Sequence, residues 1–336
     1  MTPLRIIFMG TPDLAAVSLT ALLRETKFQV VAVVTQPDRP KGRDLKLTPS
    51  PVKEIALRAG LPVLQPQKAR EETFVAELKT FQPDLIAVAA FGQILPKSIL
   101  DLPPHGCLNV HTSLLPKYRG AAPIQWAIAN GDAETGVTIM KMDVGMDTGD
   151  ILTQRTTPIS AADNGQTVHD RLAQIGSELL VQTIPDYVAG KIPPRKQDAA
   201  LATHAAKIKK TDGQIDWRLP ATTIWNRLRA FTPWPGAFTF LLGVPPSGGS
   251  VVVPPEGGTP NATRPQLLKI WEAQVTAATG EPGRILSADK SGILVACGAG
   301  ALRILILQRE AGRRMNAGEF LAGHPLSAGQ GFTGFQ

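Results

Sequence analysis

Cysteine is scarce: the 336 residues hold two, Cys107 and Cys297, far apart and without CxxC or metal-finger spacing. That excludes a disulfide framework and a cysteine-rich zinc site, and it makes a reducing cytoplasm the expected compartment. No apolar run is long enough to span a bilayer, and the opening MTPLRIIFMGTPD reaches charge, Gly and Pro too early for a secretory leader. Internal repeats are absent. So are a full GxGxxG fingerprint, since FMGTPD offers one glycine of the three, and a GxSxG nucleophile elbow; nicotinamide dinucleotides and hydrolase-type serine chemistry lose their usual markers. Acidic residues are outnumbered, 28 against 35 Lys+Arg, for a net charge of +7 and a pI near 9.5. Such a balance suits a polyanionic partner without requiring one.

What is present reads as a folded protein, with 43% hydrophobic and 19% charged residues. The length predicts two domains. Through residue 190, short apolar runs (LRIIFMG, QVVAVVTQ, LPVLQP, PDLIAVAAFG, GCLNVHTS, TGVTIMKMD) alternate with helical patterns and end in the long GQTVHDRLAQIGSELLVQTIPDYVAG. Strands alternating with helices predict an α/β Rossmann-type domain on a parallel sheet covered on both faces. Residues 191–208 are polar, basic and Pro-punctuated, and they read as a linker. Residues 209–336 carry short strand candidates separated by Gly and Pro, with one helix at PATTIWNRLRAF, and predict a mainly β, barrel-like domain. Within it, 243–265 is rich in Pro and Gly and reads as a surface loop.

The chemistry is sought where open α/β sheets bind ligands, outside the carboxyl ends of the strands. Asn109 and His111 sit there, two residues apart, so they share a strand face that Leu108 and Val110 avoid. A turn cap and a satisfied core histidine would account for them in structural terms. Against this, the SLLPKYRG loop follows at once and GMDTGD supplies Asp147 and Asp150 at the next strand end. Asn as donor, His as donor or general acid/base and Asp as its orienter make a workable set. Cys107 shares the strand face, but its apolar surroundings disfavour a thiolate, and His111 lacks companions at metal-ligand spacing, so neither covalent catalysis nor a metal is expected.

The loop from residue 36 to residue 53 carries Arg39, Lys41, Arg43, Lys46 and Lys53 against Asp38 and Asp44. It leaves the second strand on the same rim. A solvated loop and a basic finger for a phosphate backbone are both open on these residues alone.

The stretch NVHTSLLPKYRGAAPIQWAIANGDAETGVTIMKMDVGMDTGDIL resembles the folate-dependent formyltransferases, in its Asn-x-His, its SLLP loop and its MDxGxDTGD run. FMGTPDLAA, TQPDRPKGRDLKLTPSPVK, AFGQILP and RAFTPWPGAF narrow the resemblance to members acting on methionyl-tRNA. It covers residue 4 to about residue 320, with 243–265 as an apparent insertion. The resemblance implies a Rossmann-type catalytic domain followed by an OB-fold-like tRNA-binding domain, and transfer of the formyl group of 10-formyltetrahydrofolate, a co-substrate, to the α-amine of initiator methionyl-tRNA. It implies catalytic roles for Asn109, His111 and Asp147, and folate contacts for Ser113, Leu114, Leu115 and Pro116. It also implies tRNA contacts for Arg39, Lys41, Arg43 and Lys46, with no metal; a monomer is expected. Thr112 departs from the pattern, where Gly, Ala or Ser is expected. A sugar-nucleotide or other small-amine formyltransferase, a formyl-folate hydrolase and a tRNA-binding module without chemistry are the alternatives, and a small substrate would not need the basic loop.

Overall fold

The computed structural model describes residues 2–41, 46–241 and 265–333. Two compact units emerge, residues 1–127 with 133–207, and residues 128–132 with 208–336. Through residue 207 the chain forms β1 (Leu4–Gly10), α1 (Asp13–Leu23), β2 (Phe28–Val34), β3 (Arg39–Lys41), β4 (Lys46–Thr48), α2 (Pro51–Arg58), β5 (Val63–Leu64), α3 (Glu72–Thr80), β6 (Leu85–Ala89), α4 (Lys97–Leu100), β7 (Cys107–His111), β8 (Arg119–Gly120), α5 (Pro123–Ala129), β9 (Glu134–Lys141), β10 (Ile151–Pro158), α6 (Gly165–Val188) and β11 (His204–Ala205).

Seven of these strands form one sheet in the order β10-β9-β7-β6-β1-β2-β5. The apolar runs expected as buried strands are its centre, and β1, β2, β5, β6 and β7 are parallel. The sheet is not uniformly parallel, however: β9 is antiparallel to both β7 and β10. The strand at Ile151–Pro158 was not anticipated, because ILTQRTTP is polar through its middle. As the edge of the sheet it needs no continuous apolar run.

Each face of the sheet is covered by helices. Ile7, Met9, Ile86 and Val88 meet Phe74 and Leu78 of α3 and Ile99 of α4; burying each such side chain contributes roughly 1.5–3 kcal/mol. On the opposite face α6 crosses β7 so closely that a Cβ at Gly176 would lie 2.7 Å from Val110 Cγ1. Gly10 closes the turn from β1 to α1, where a Cβ would lie 2.6 Å from that of Ala15 and 2.8 Å from the Ala89 carbonyl.

The long helix α6 starts on a capping box: the Asn164 side chain accepts from the N–H groups of Gln166 and Thr167, and Thr167 Oγ1 accepts from Asn164 N–H. Beside it, Asp163 is 6% exposed and ion-paired to Arg171 at 2.9 Å. Burial by itself raises its pKa, but hydrogen bonds from Arg171, Ser160 and Thr167 outweigh that and hold the carboxyl down to about 2. A depressed native pKa contributes stability in full above the unfolded value near 4, and that contribution is lost as pH falls toward the native value. Asp163→Asn is therefore expected to cost on the order of 2 kcal/mol at pH 7. In urea melts across pH, the gap to the parent should close below pH 4; a gap independent of pH would contradict it.

The second unit contains α7 (Ala221–Ala230), β12 (Ala237–Leu241), β13 (Gln266–Thr276), β14 (Ile285–Asp289), β15 (Gly292–Ala296), β16 (Ala301–Arg309), β17 (Arg314–Asn316), α8 (Ala317–Gly323) and β18 (Phe332–Thr333). Its strands pair in the order β14-β15-β16-β13-β12-β18, antiparallel throughout, with β17 added beside β16. Trp217, Leu268, Ile293, Leu307 and Phe320 lie in its core. A mainly β unit matches the sequence pattern. The short helix α8 was not foreseen, although Asn316 and Glu319 form a capping box at its start. Most of 243–265, expected as a surface loop, falls outside the described residues.

Candidate active site

Strand β7 sets the site. Val110 faces α6, whereas Cys107 and Asn109 face the α3 and α4 side, as alternation requires. Asn109 lies in register between Val88 of β6 and Met140 of β9. All three line a cavity of about 540 Å³ at the carboxyl rim, together with His111, Thr112, Gly120, Asp147 and the segment from Ala90 to Leu95. That size suits a small organic molecule. The structure thus brings Asn109, His111 and Asp147 to one cavity; Asp150, the other candidate carboxylate, is not among its lining residues.

His111 is 5% exposed. Its Nε2 lies 2.9 Å from the Tyr118 carbonyl, which can only accept, so Nε2 carries a proton and donates. Nδ1 is thereby left to Asp147, whose Oδ2 is 3.7 Å away. The same Oδ2 accepts from Gly120 N–H at 2.8 Å. The Asn109 carboxamide is half-buried and has no hydrogen-bond partner among the described residues. Lining the cavity, it is a donor and acceptor open to solvent or to a ligand.

Asp147 is carried by a built loop. Asp143 Oδ1 accepts from Gly145 N–H at 3.0 Å and from Thr148 Oγ1 at 2.7 Å, which closes the turn. A Cβ at Gly149 would collide with the Lys141 carbonyl oxygen, so MDVGMDTGD needs its last glycine for close approach. Asp147 itself has φ +53°, a left-handed conformation uncommon for a residue with a Cβ.

Ser113, Leu114, Leu115 and Pro116, expected from the resemblance to contact folate, do not line this cavity. Ser113 Oγ donates to the Lys117 carbonyl at 2.6 Å, and Thr138 Oγ1 donates to the Ser113 carbonyl at 2.7 Å. Leu115 N–H and Gln154 Nε2 both donate to Thr138 Oγ1, and Leu115 packs with Met140 and Ile151. These bonds fix the segment that leads from Thr112 of the cavity lining toward Tyr118, whose carbonyl accepts from His111. Thr112 does line the cavity and is 8% exposed.

In sequence the segment Ala90–Leu95, within AFGQILP, carries resemblance alone and no site residue. The Phe91 carbonyl accepts from Thr11 Oγ1 at 3.3 Å and Gln36 Nε2 at 3.2 Å, tying the rims of β1, β2 and β6 together. Ile94 and Met146, both lining the cavity, are 78% and 56% exposed. An uncharged segment gives no chemical signal; its position directly after a buried strand at the carboxyl rim is the signal that could have found it.

Cys107 is a packing residue: its Sγ donates to the Ile99 carbonyl, and burial, reinforced by the Asp101 carboxylate, pushes its thiol up to about 12. Within the basic loop β3 and β4 pair antiparallel, Arg39 opposite Thr48 and Lys41 opposite Lys46. Arg39 is exposed, and Arg43 lies outside the described residues. Lys53, counted with the loop's cations, is engaged internally: it donates to Asp38 at 2.6 Å and to Gln65 at 2.7 Å. Those groups hold the Asp38 carboxyl below the usual range.

The formyl transferase family profile matches residues 4–184, and the profile of the formyl transferase C-terminal domain matches residues 207–325. The chain is 50% identical to the methionyl-tRNA formyltransferase of Citrifermentans bemidjiense over 98% of this chain and 96% of that protein. It is 47% identical to that of Caldanaerobacter subterraneus over 97% and 99%. Among solved structures it resembles a sugar 3N-formyl transferase, WlaRD, with TM-score 0.62 and 18% identity, over 90% of this chain and 98% of that one. HypX from Aquifex aeolicus in complex with tetrahydrofolic acid gives TM-score 0.59 and 18% identity over 100% and 51%. The two latter likenesses are of fold. With both family domains matched and half of its residues shared along almost the whole length, the chain belongs to the formyl transferase family, in its methionyl-tRNA formyltransferase branch.

Proposed function

We propose that this methionyl-tRNA formyltransferase takes its formyl group from 10-formyltetrahydrofolate and passes it directly to the methionyl α-amine, with Asn109, His111 and Asp147 as the catalytic residues. The observation that carries this reading is the unpartnered Asn109 carboxamide in one cavity with the His111–Asp147 pair.

An α-amine with an ordinary pKa near 8 is partly neutral at working pH and attacks the formyl carbon without a covalent enzyme intermediate. The carbonyl oxygen becomes negative. Asn109 N–H and His111 are the donors placed for it; because Nε2 is committed to Tyr118, the imidazole donates through Nδ1 only in its imidazolium form, which the Asp147 carboxylate beside Nδ1 favours. Asp147 takes the proton released by the attacking nitrogen and returns it toward the departing folate nitrogen, directly or through water. The folate lies against the cavity wall from Phe91 to Leu95, with Ser113, Leu114, Leu115 and Pro116, which follow Thr112 of that lining, as its further contacts.

For the tRNA, the basic loop supplies Arg39, Lys41, Arg43 and Lys46 as phosphate contacts, and the chain's net charge of +7 supports the same reading. Replacing Arg39 and Arg43 together by Ala should raise KM for methionyl-tRNA and leave folate binding unchanged. The slope of log affinity against log salt should fall by about one for each lost contact. An unchanged salt slope would remove the basic loop from tRNA binding.

The direct test uses 10-formyltetrahydrofolate labelled in the formyl group, offered with methionyl-tRNA, free methionine or an amino-sugar nucleotide. Labelled N-formylmethionyl-tRNA with no product in the other arms is expected. Transfer to the amino sugar and none to methionyl-tRNA would overturn the reading.

A further inference from the structure

The segment between α6 and the second unit, residues 191–208, reads in sequence as a linker, and both family profiles leave Gln197 unmatched. In the structure it is bound along the first unit. Arg195 exchanges two backbone hydrogen bonds with Ile151, and Thr203 Oγ1 accepts from Tyr118 N–H at 2.8 Å. The strand β11 then pairs in parallel with β8.

Gln197 stands midway. Its Nε2 donates to the carbonyls of Asp147 and Gly149, at 2.8 and 2.7 Å. Its Oε1 accepts from Arg119 Nε and Nη2, at 3.0 and 2.7 Å. Carbonyls only accept and guanidinium only donates, so the partners leave one orientation of the amide. Both of its hydrogens and both lone pairs are used.

We propose that Gln197 is a positioning residue for formyl transfer, its single carboxamide fixing at once the loop that carries Asp147 and the strand whose Gly120 N–H receives the Asp147 carboxylate. Asp147 needs such a hold. Its left-handed backbone costs roughly 1–2 kcal/mol relative to the ordinary regions, and a loop in that state keeps one geometry only when its surroundings fix it. Gly120, at the carboxylate's other end, belongs to the strand that Arg119 ties to Gln197. Releasing the amide frees the two sides of the carboxylate's cradle to move relative to each other. This inference rests on the catalytic reading of Asp147.

The test is a double-mutant cycle in single-turnover kinetics, with Gln197→Ala, Asp147→Asn and the pair. Gln197→Ala alone should slow transfer on the order of 10- to 100-fold, with KM for folate little changed. In the Asp147→Asn background it should slow transfer by less than about twofold, because its effect acts through that carboxylate. Gln197→Glu keeps the size and the Arg119 pair but turns an acceptor toward two carbonyls; it should behave as Gln197→Ala does, and serves if the alanine variant does not fold. Equal losses in both backgrounds, or no loss from either substitution, would overturn the proposal while leaving Asp147 in place. A near-parental rate for Asp147→Asn alone would instead overturn the reading of Asp147 and this inference with it.

Discussion

Asp147→Asn is expected to lower kcat roughly 10³-fold, the scale of a lost general acid/base, while folate affinity stays within about twofold. The substitution is chosen for what it preserves. Asn tolerates positive φ better than almost any other residue with a Cβ, so the φ of +53° is no obstacle. Its side-chain oxygen can still accept from Gly120 N–H, the bond that seats the carboxylate at 2.8 Å. What disappears is the negative charge 3.7 Å from His111 Nδ1 and a group able to take a proton. Rapid-quench transfer rates and folate titrations separate the two effects. Near-parental turnover would remove Asp147 from proton transfer.

Asn109→Ala is expected to reduce kcat about 10²-fold, the cost of one preorganised oxyanion donor. Stability should hardly move, because the carboxamide makes no hydrogen bond to any described residue and is only half-buried. Asn109→Asp sharpens the comparison: the shape is retained, but an acceptor now faces the developing negative oxygen, and the loss should exceed that of the alanine variant. If both variants raise KM for folate and leave kcat alone, Asn109 binds the ground state and is not the oxyanion donor.

Much of this site was legible because β7 obeys a simple rule. Polar residues at 109 and 111, alternating with Leu108 and Val110, place one pair on one face, and the structure keeps that alternation. Asp147 was legible from its motif. The groups that hold the pair were not: Gly120 N–H on Asp147 and the Tyr118 carbonyl on His111 act through backbone atoms, which leave no chemical signature in a sequence. Loop 90–95 was missed because it is uncharged, and β10 because an edge strand need not be apolar. Gln197 meets Asp147 and Arg119 across separations of 50 and 78 residues, inside a polar stretch with no periodicity to mark it. The SLLP segment was legible as a motif, but its hydrogen bonds to Lys117 and Thr138 were not, because they join residues through backbone carbonyls and N–H groups.

The measurement that bears most directly on the chemistry is a rapid-quench single turnover with formyl-labelled 10-formyltetrahydrofolate and methionyl-tRNA, following label on protein, folate and tRNA together. Direct attack predicts that label leaves the folate at the rate at which it enters formylmethionyl-tRNA, with none on the protein at any time. Label on the protein that forms and decays at a competent rate would contradict it.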